Sequence, residues 1–374
     1  MLSLLPPLLS LVLLIMASGL FNTFVPIRLE IEGYPPEVIG LVTSALSLGI
    51  LLGSLRIDRW IAKVGHIKAF VACAIASCAI VLAQGFWVNP WYWACLRLFG
   101  GICMAGIFIA IESWLLIRGT PATRGLILSI YLGVFYGALT LGQFLINLSD
   151  PAGSVPFYIT AFLCALSILP LLLKKTTEPK IEQTVRMTLV QLLRLSPLGF
   201  IGGIISGMLL AVVYGLVPVY AKEIGLSISE IGNLMAMIIF GGLSLQWPLG
   251  RWADKGNRRQ ILYLASFLSA IFSLSIALVE QSSLLFLLAW AFGGFSFTLY
   301  PLSMAYTCEQ IEESQIIAAT GGFVLSYGIG AIAGPLIAPL AMDFFGTSGL
   351  FYFLSAISLF LGFVGLIRPK LETS

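Results

Sequence analysis

The sequence predicts an all-α integral membrane protein with twelve transmembrane helices, arranged as two parallel six-helix repeats. Three observations carry this. Charged residues are scarce, apolar runs of membrane-spanning length fill the chain, and the second half repeats the first.

Of 374 residues, 59% are hydrophobic and only 10% are charged, and the mean hydropathy is +1.01. A soluble domain carries about 25% charged residues, so too few charges are present here to make a water-facing surface. The net charge of +3 supplies no basic face for a phosphate backbone, and no nucleic-acid partner is expected.

A helix needs about 20 apolar residues to cross the hydrocarbon layer. Runs of that kind fall at roughly 7–27, 38–57, 67–86, 92–117, 125–146, 156–173, 197–221, 230–250, 260–279, 284–307, 316–340 and 350–367. The first run has no preceding Lys or Arg and leads into Val25-Pro26-Ile27-Arg28, so it reads as a retained helix rather than a cleaved signal. Placing the N-terminus in the cytoplasm puts 17 of the 20 Lys and Arg residues on the cytoplasmic side. The positive-inside rule therefore sets both termini there, and the expected location is the bacterial inner membrane. Trp87, Trp91, Tyr92 and Trp93 cluster at the outer ends of spans 3 and 4, as an interfacial aromatic belt.

The longest polar stretch divides the chain. It gives an N-terminal six-helix half at 1–173, a cytoplasmic central loop at 174–196 that is partly helical on the membrane surface, and a C-terminal six-helix half at 197–374. A shift of 192 residues lays the second half on the first. Val25-Pro26 then matches Val217-Pro218, Gly33 matches Gly225, Ile39-Gly40 matches Ile231-Gly232, Gly49 matches Gly241, Leu51 matches Leu243, Arg59-Trp60 matches Arg251-Trp252, and Lys63 matches Lys255. These are ten gap-free identities over residues 25–63. Parallel repeats of six spans are a transporter architecture, with substrate sites near the midplane between the halves.

The loops after spans 2 and 8 resemble the Gly-x-x-x-Asp-Arg/Lys-x-Gly-Arg/Lys-Arg/Lys motif of major facilitator superfamily transporters. The second copy, Gly250 to Arg259, holds Asp254, Lys255 and Arg258, with Asn257 where glycine is usual. The first copy keeps Arg59 and Lys63 but has Ala62 at the aspartate position, with Asp58 one helical turn away. Arg97 followed by Gly100-Gly101 is similar to the family's span-4 motif. Glu112-Ser113-Trp114-Leu115 looks like a small bacterial branch whose substrates are unknown. The resemblance implies a secondary transporter working by alternating access, with Asp58, Arg59, Lys63, Gly250, Asp254, Lys255 and Arg258 forming a cytoplasmic gate motif. The alternative role for these charges is to set topology only. Gly330-x-x-x-Gly334-Pro335 is similar to a motif best known from span 5 of proton-coupled exporters, but here it lies in span 11. Export is therefore one expectation that span 5 itself does not support.

Spans 1, 4, 7 and 10 line the cavity in this family. The substrate-cavity candidates are Asn22, Thr23, Arg97, Tyr214, Tyr300 and Ser303, joined by Gln143 and Gln246. Most are amide, hydroxyl or aromatic groups, which suits a small neutral or amphipathic solute; Arg97 keeps a monoanion open, or instead snorkels to the outer headgroups. Glu112 is the one carboxylate clearly inside a span. It lies about 12 Å cytoplasmic of the span-4 centre, either as a proton site or in a rim network with Arg118 or Arg59.

The six cysteines form no CxxC pair, and the single histidine, His66, falls in a loop. No metal site, cofactor or catalytic cluster is expected, and no Walker-type phosphate loop is present, so the chain is not expected to be an enzyme. The expected partners are a small-molecule solute, the lipid bilayer and a proton, with the protein a monomer. The competing class is a transporter-fold receptor or a lipid-handling membrane protein.

Overall fold

The computed structural model describes residues 5–117, 124–172, 188–279, 283–311 and 315–367. Its elements are α1 (Leu5–Ile31), α2 (Pro36–Val64), α3 (His66–Gln84), α4 (Pro90–Ile117), α5 (Arg124–Phe144), a 3-10 turn (Leu145–Leu148), α6 (Val155–Leu166), α7 (Leu169–Leu172), α8 (Leu189–Leu195), α9 (Pro197–Glu223), α10 (Ile228–Lys255), α11 (Arg258–Leu278), α12 (Ser283–Glu309), α13 (Ile316–Phe345) and α14 (Gly349–Ile367). Twelve spans are long and apolar enough to cross a bilayer, with α6 and α7 together making the sixth. No strand occurs among the described residues. In lipid every backbone N–H and C=O must be satisfied within the segment, and helices do this.

The turns between spans have local causes. Gly33 takes φ +82° after α1, and its repeat partner Gly225 takes φ +86° after α9. In both turns the next residue's N–H reaches back five residues, Tyr34 to Leu29 O and Leu226 to Ala221 O, at 3.1 and 3.0 Å. This is the same left-handed helix stop twice, and glycine reaches positive φ without a Cβ penalty. The helix starts differ: α2 opens on Pro35-Pro36, whereas α10 opens on a reciprocal Ser227–Glu230 capping pair. Asn257, the departure from the family motif, caps α11. Its Oδ1 accepts from the N–H groups of Arg259 and Gln260 at 3.1 and 3.3 Å, a role glycine cannot perform. Of the central loop 174–196, the described part includes α8, with a Thr188–Gln191 capping box.

The chain divides into two compact units. The first comprises Met1–Gln183 and Tyr214–Ala236, the second Thr184–Val213 and Met237–Ser374. Lipid tails are as apolar as leucine, so spans associate by close packing at small residues. In the first unit α2 lies along α4 and α1 along α5. A Cβ on Gly49 would stand 2.0 Å from Leu98 O, one on Gly101 2.2 Å from Leu46 O, and one on Gly142 2.5 Å from Met16 O. The second unit makes the same crossings at the positions 192 residues on. Gly241 would meet Trp290 O at 1.9 Å, Gly293 would meet Ile238 O at 1.9 Å, and Gly334 would meet Met208 O at 2.8 Å. The internal repeat is therefore a repeat of helix crossings as well as of loops.

Two sequence expectations change. His66 is the first residue of α3 and is buried, because the turn at Gly65 ends α2 one residue earlier. Of the aromatic belt, Trp87 and Trp91 are exposed, but Trp93 is fully buried. Its Nε1–H donates to Gln84 O and Trp87 O at 3.0 and 2.9 Å, which fastens the α3–α4 turn.

A polar candidate site in the first unit

Asn22 and Thr23 are neighbours on α1. Successive helical residues point about 100° apart, so the two serve different helices. Thr23 faces α5: its hydroxyl donates to Gln143 Oε1 at 2.5 Å, and Gln143 Nε2 donates to Gly19 O at 3.1 Å. Asn22 faces α4: its Oδ1 accepts from Arg97 Nη1 at 2.8 Å, while its Nδ2 donates to Ser18 Oγ at 3.1 Å. Arg97 Nη2 donates to Phe21 O at 3.3 Å, and its guanidinium stands 5.0 Å from the centre of the Phe21 ring.

Arg97 is only 6% exposed. It turns into the bundle and does not snorkel to the headgroups, because Asn22 and Phe21 hold it there. The arginine borders a cavity of about 60 Å³ whose lining comes from α1, α2, α3, α4 and α6. Sequence reasoning missed four polar members of that lining, Ser18 on α1, Ser77 and Gln84 on α3 and Thr160 on α6. For the last three, the available signal was the presence of polar residues in spans 3 and 6, outside the helices searched.

Fifteen residues separate Glu112 from Arg97, about 22 Å of helix, and the two do not meet. Glu112 is partly buried and lies near Tyr131 of α5. Arg118, a proposed rim partner, lies outside the described residues.

The remaining candidates are dispersed. Tyr214 is partly buried in the first unit. In the second unit Gln246 is partly buried, beside the exposed Trp247, whose ring carries the Arg251 guanidinium at 4.6 Å. Tyr300 packs edge-on against Phe323 and Tyr327, each at 5.1 Å. Ser303 is fully buried with no hydrogen-bond partner for its hydroxyl, and it faces Gly202 of α9.

The gate motif forms a network inside the second unit. Arg258 binds Asp254 Oδ1 at 3.0 Å and Glu309 Oε1 at 3.3 Å, and donates to Ala305 O at 3.3 Å. It joins the ends of α10, α11 and α12. Glu309 was not singled out from the sequence, since nothing in the motif points to it. Arg259 donates to Gly365 O and Leu366 O at 2.7 and 3.0 Å, satisfying the end of α14. Lys255 is exposed, and Gly250 has open space where a side chain would go. In the first copy Arg59 and Lys63 are exposed, and the Asp58 side chain lies outside the described residues. Exposed ion pairs contribute about 0–1 kcal/mol. Arg258→Ala is therefore expected to lower stability by about 1 kcal/mol, and Glu309→Gln by less, read as melting shifts of the purified protein.

No group of three or more His, Cys, Asp and Glu side chains is placed to hold a metal among the described residues.

Comparison with known proteins gives a consistent result. The family model described as Major Facilitator Superfamily matches residues 8–198 and again 199–373. A relative from Escherichia fergusonii, described as uncharacterized MFS-type transporter YcaD, is 34% identical over 370 residues, covering 97% of this chain and 95% of its own. The protein of the same description from Salmonella typhimurium is 33% identical over 369 residues, covering 97% and 94%. Among solved structures, the nucleoside transporter NupG superposes with a TM-score of 0.80 at 14% identity, covering 98% of both chains. A D-xylose-proton symporter superposes with a TM-score of 0.78 at 12% identity, covering 99% and 98%. At these identities the structural likeness is one of fold.

Proposed function

Because the chain belongs to the Major Facilitator Superfamily, we propose that it is a secondary active transporter that carries a small organic solute across the bacterial inner membrane by alternating access, with both termini cytoplasmic. The observation that carries this reading is the buried Arg97–Asn22 pair in a chain of twelve apolar spans. An ionisable group at that depth is costly, and its retention marks a functional site. The uncharged candidates Asn22, Thr23, Gln143, Tyr214, Gln246, Tyr300 and Ser303 favour a neutral or amphipathic solute, recognised by amide, hydroxyl and aromatic groups. Driving energy comes from a proton gradient acting through Glu112, and export is the proposed direction. The Asp254–Arg258–Glu309 network holds one access state, and the protein works as a monomer.

The test is a thermal-shift screen of the purified protein against metabolites and drugs, at mildly acidic and at neutral pH. A ligand bound only by the folded state must raise the melting temperature by mass action. The expected result is a saturable shift for one chemical class, larger at one pH than at the other. A flat response across the library, from protein shown to be folded, overturns the reading of a soluble organic solute.

A further inference from the structure

Arg97 is a buried cation without a buried anion. Its protein partners are the Asn22 amide oxygen and the Phe21 carbonyl, both neutral. Arg97 is the one charged residue in the cavity lining. A guanidinium stays protonated in proteins, so it cannot escape the cost of burial by losing its charge. The Phe21 ring offsets part of that cost. The Arg97 Nε atom is buried and has no hydrogen-bond partner.

A second, independent group borders the same cavity. Gln84 is fully buried, and neither its Nε2 nor its Oε1 has a hydrogen-bond partner. An unmet buried amide is rare enough to require a ligand or a water. The cavity, partly open and of about 60 Å³, suits a small ligand. It exceeds the roughly 10–15 Å³ of such space that one water needs, and falls short of the roughly 300 Å³ at which pockets for organic ligands begin.

The internal repeat sharpens the point. The residues 192 positions after Arg97, Gln84 and Gly100 are Ala289, Ile276 and Phe292. All three are buried, Ala289 and Phe292 fully so. There the charge and the amide are gone and an aromatic ring stands in place of a glycine. The hydroxyls near by satisfy one another, Ser269 with Ser296 at 2.8 Å and Ser269 with Ser358 at 3.2 Å. The fold does not need the charge or the amide, since its second copy does without both.

We propose that the first unit binds a small monovalent anion, of halide or formate size, in the cavity between α1, α3, α4 and α6, with Arg97 and the Gln84 amide as its donors. The bound anion neutralises Arg97 within the bundle, beside the Asn22 amide on which the proposed transport reading rests. Its test needs neither a transport assay nor a known solute.

The full-length protein is purified and exchanged into sodium gluconate. Chloride or formate then replaces gluconate at constant ionic strength, and the melting temperature and the chloride-35 NMR linewidth are recorded. The expected result is a saturable stabilisation by chloride and by formate, absent with sulfate, and a broadened chloride signal that formate narrows by competition. Gln84→Leu is expected to weaken the midpoint by about tenfold, the worth of one hydrogen bond to a charged group. Arg97→Gln is expected to abolish the response. If Arg97→Gln does not fold, Gln84→Leu decides alone. Equal melting in chloride, sulfate and gluconate overturns the proposal and leaves the cavity to water. An unchanged midpoint in Gln84→Leu overturns it equally.

Discussion

Gly101→Ala and Gly293→Ala each reduce the stability of the purified protein by about 3 kcal/mol or more, at the upper end of overpacking costs. The reason is that the new methyl has only backbone to meet. At Gly101 it would lie 2.2 Å from Leu46 O and 2.7 Å from Ile50 N, and at Gly293 it would lie 1.9 Å from Ile238 O. A side chain can rotate away, but a helix backbone moves only as a body. The α2–α4 crossing in the first unit and the α10–α12 crossing in the second must therefore open, with loss of the close packing that holds spans together in lipid. Gly133→Ala and Gly137→Ala are the controls. Nothing lies within 4 Å of a Cβ at either position, so both changes are expected to stay within about 0.5 kcal/mol, as surface substitutions do. Melting followed by size-exclusion chromatography separates the two groups. Equal behaviour of all four variants would show that the two crossings are not packed as described.

Glu112→Gln is expected to remove gradient-driven accumulation of the solute while leaving exchange of solute across the membrane. A carboxylate inside a span costs at least about 2.5–3.5 kcal/mol on insertion scales. Glu112 sits on α4, partly buried, near Tyr131 of α5. The amide keeps the shape and deletes only the titrating proton. Uptake and counterflow in proteoliposomes, with and without an imposed proton gradient, distinguish the outcomes. Loss of both activities together with poor expression would instead place Glu112 in a structural network at the cytoplasmic rim. Full accumulation by the variant would remove Glu112 from the coupling mechanism.

Apolar run length made the spans legible from the sequence, because a bilayer demands about 20 residues per crossing whatever their order. The turns were legible where a residue type had a single use, as at Gly33 and Gly225. What run length does not encode is rotation about the helix axis. In α4 apolar residues surround Arg97 on every side in sequence, so no stripe tells which neighbour it faces. Two readings were therefore open, snorkelling outward and facing the substrate, and the structure turns it inward, toward Asn22 and the α3–α6 side. Gln84 was passed over because it stands at the end of an apolar run, where a polar residue ordinarily marks the boundary. The tight crossings were half visible. Gly101 and Gly293, like Gly142 and Gly334, obey the same 192-residue shift as Gly49 and Gly241. These matches stand alone among differing neighbours, so they gain meaning only once each is seen against a carbonyl oxygen.

The shift has a consequence for how such a chain can evolve. The glycines of the crossings occur in both copies, but Thr23, Arg97, Glu112 and Gln143 of the first unit do not. Positions 192 beyond Thr23, Arg97, Glu112 and Gln143 hold Gly215, Ala289, Met304 and Pro335. A symmetric pair of identical six-helix subunits would have to insert every ionisable residue twice, each at about 2.5–3.5 kcal/mol or more. Fusion of the copies into one polypeptide frees them from that identity. One half then carries Arg97 and Glu112 deep within a span, and the other holds apolar residues at the matching positions, Ala289 and Met304, which cost nothing to insert.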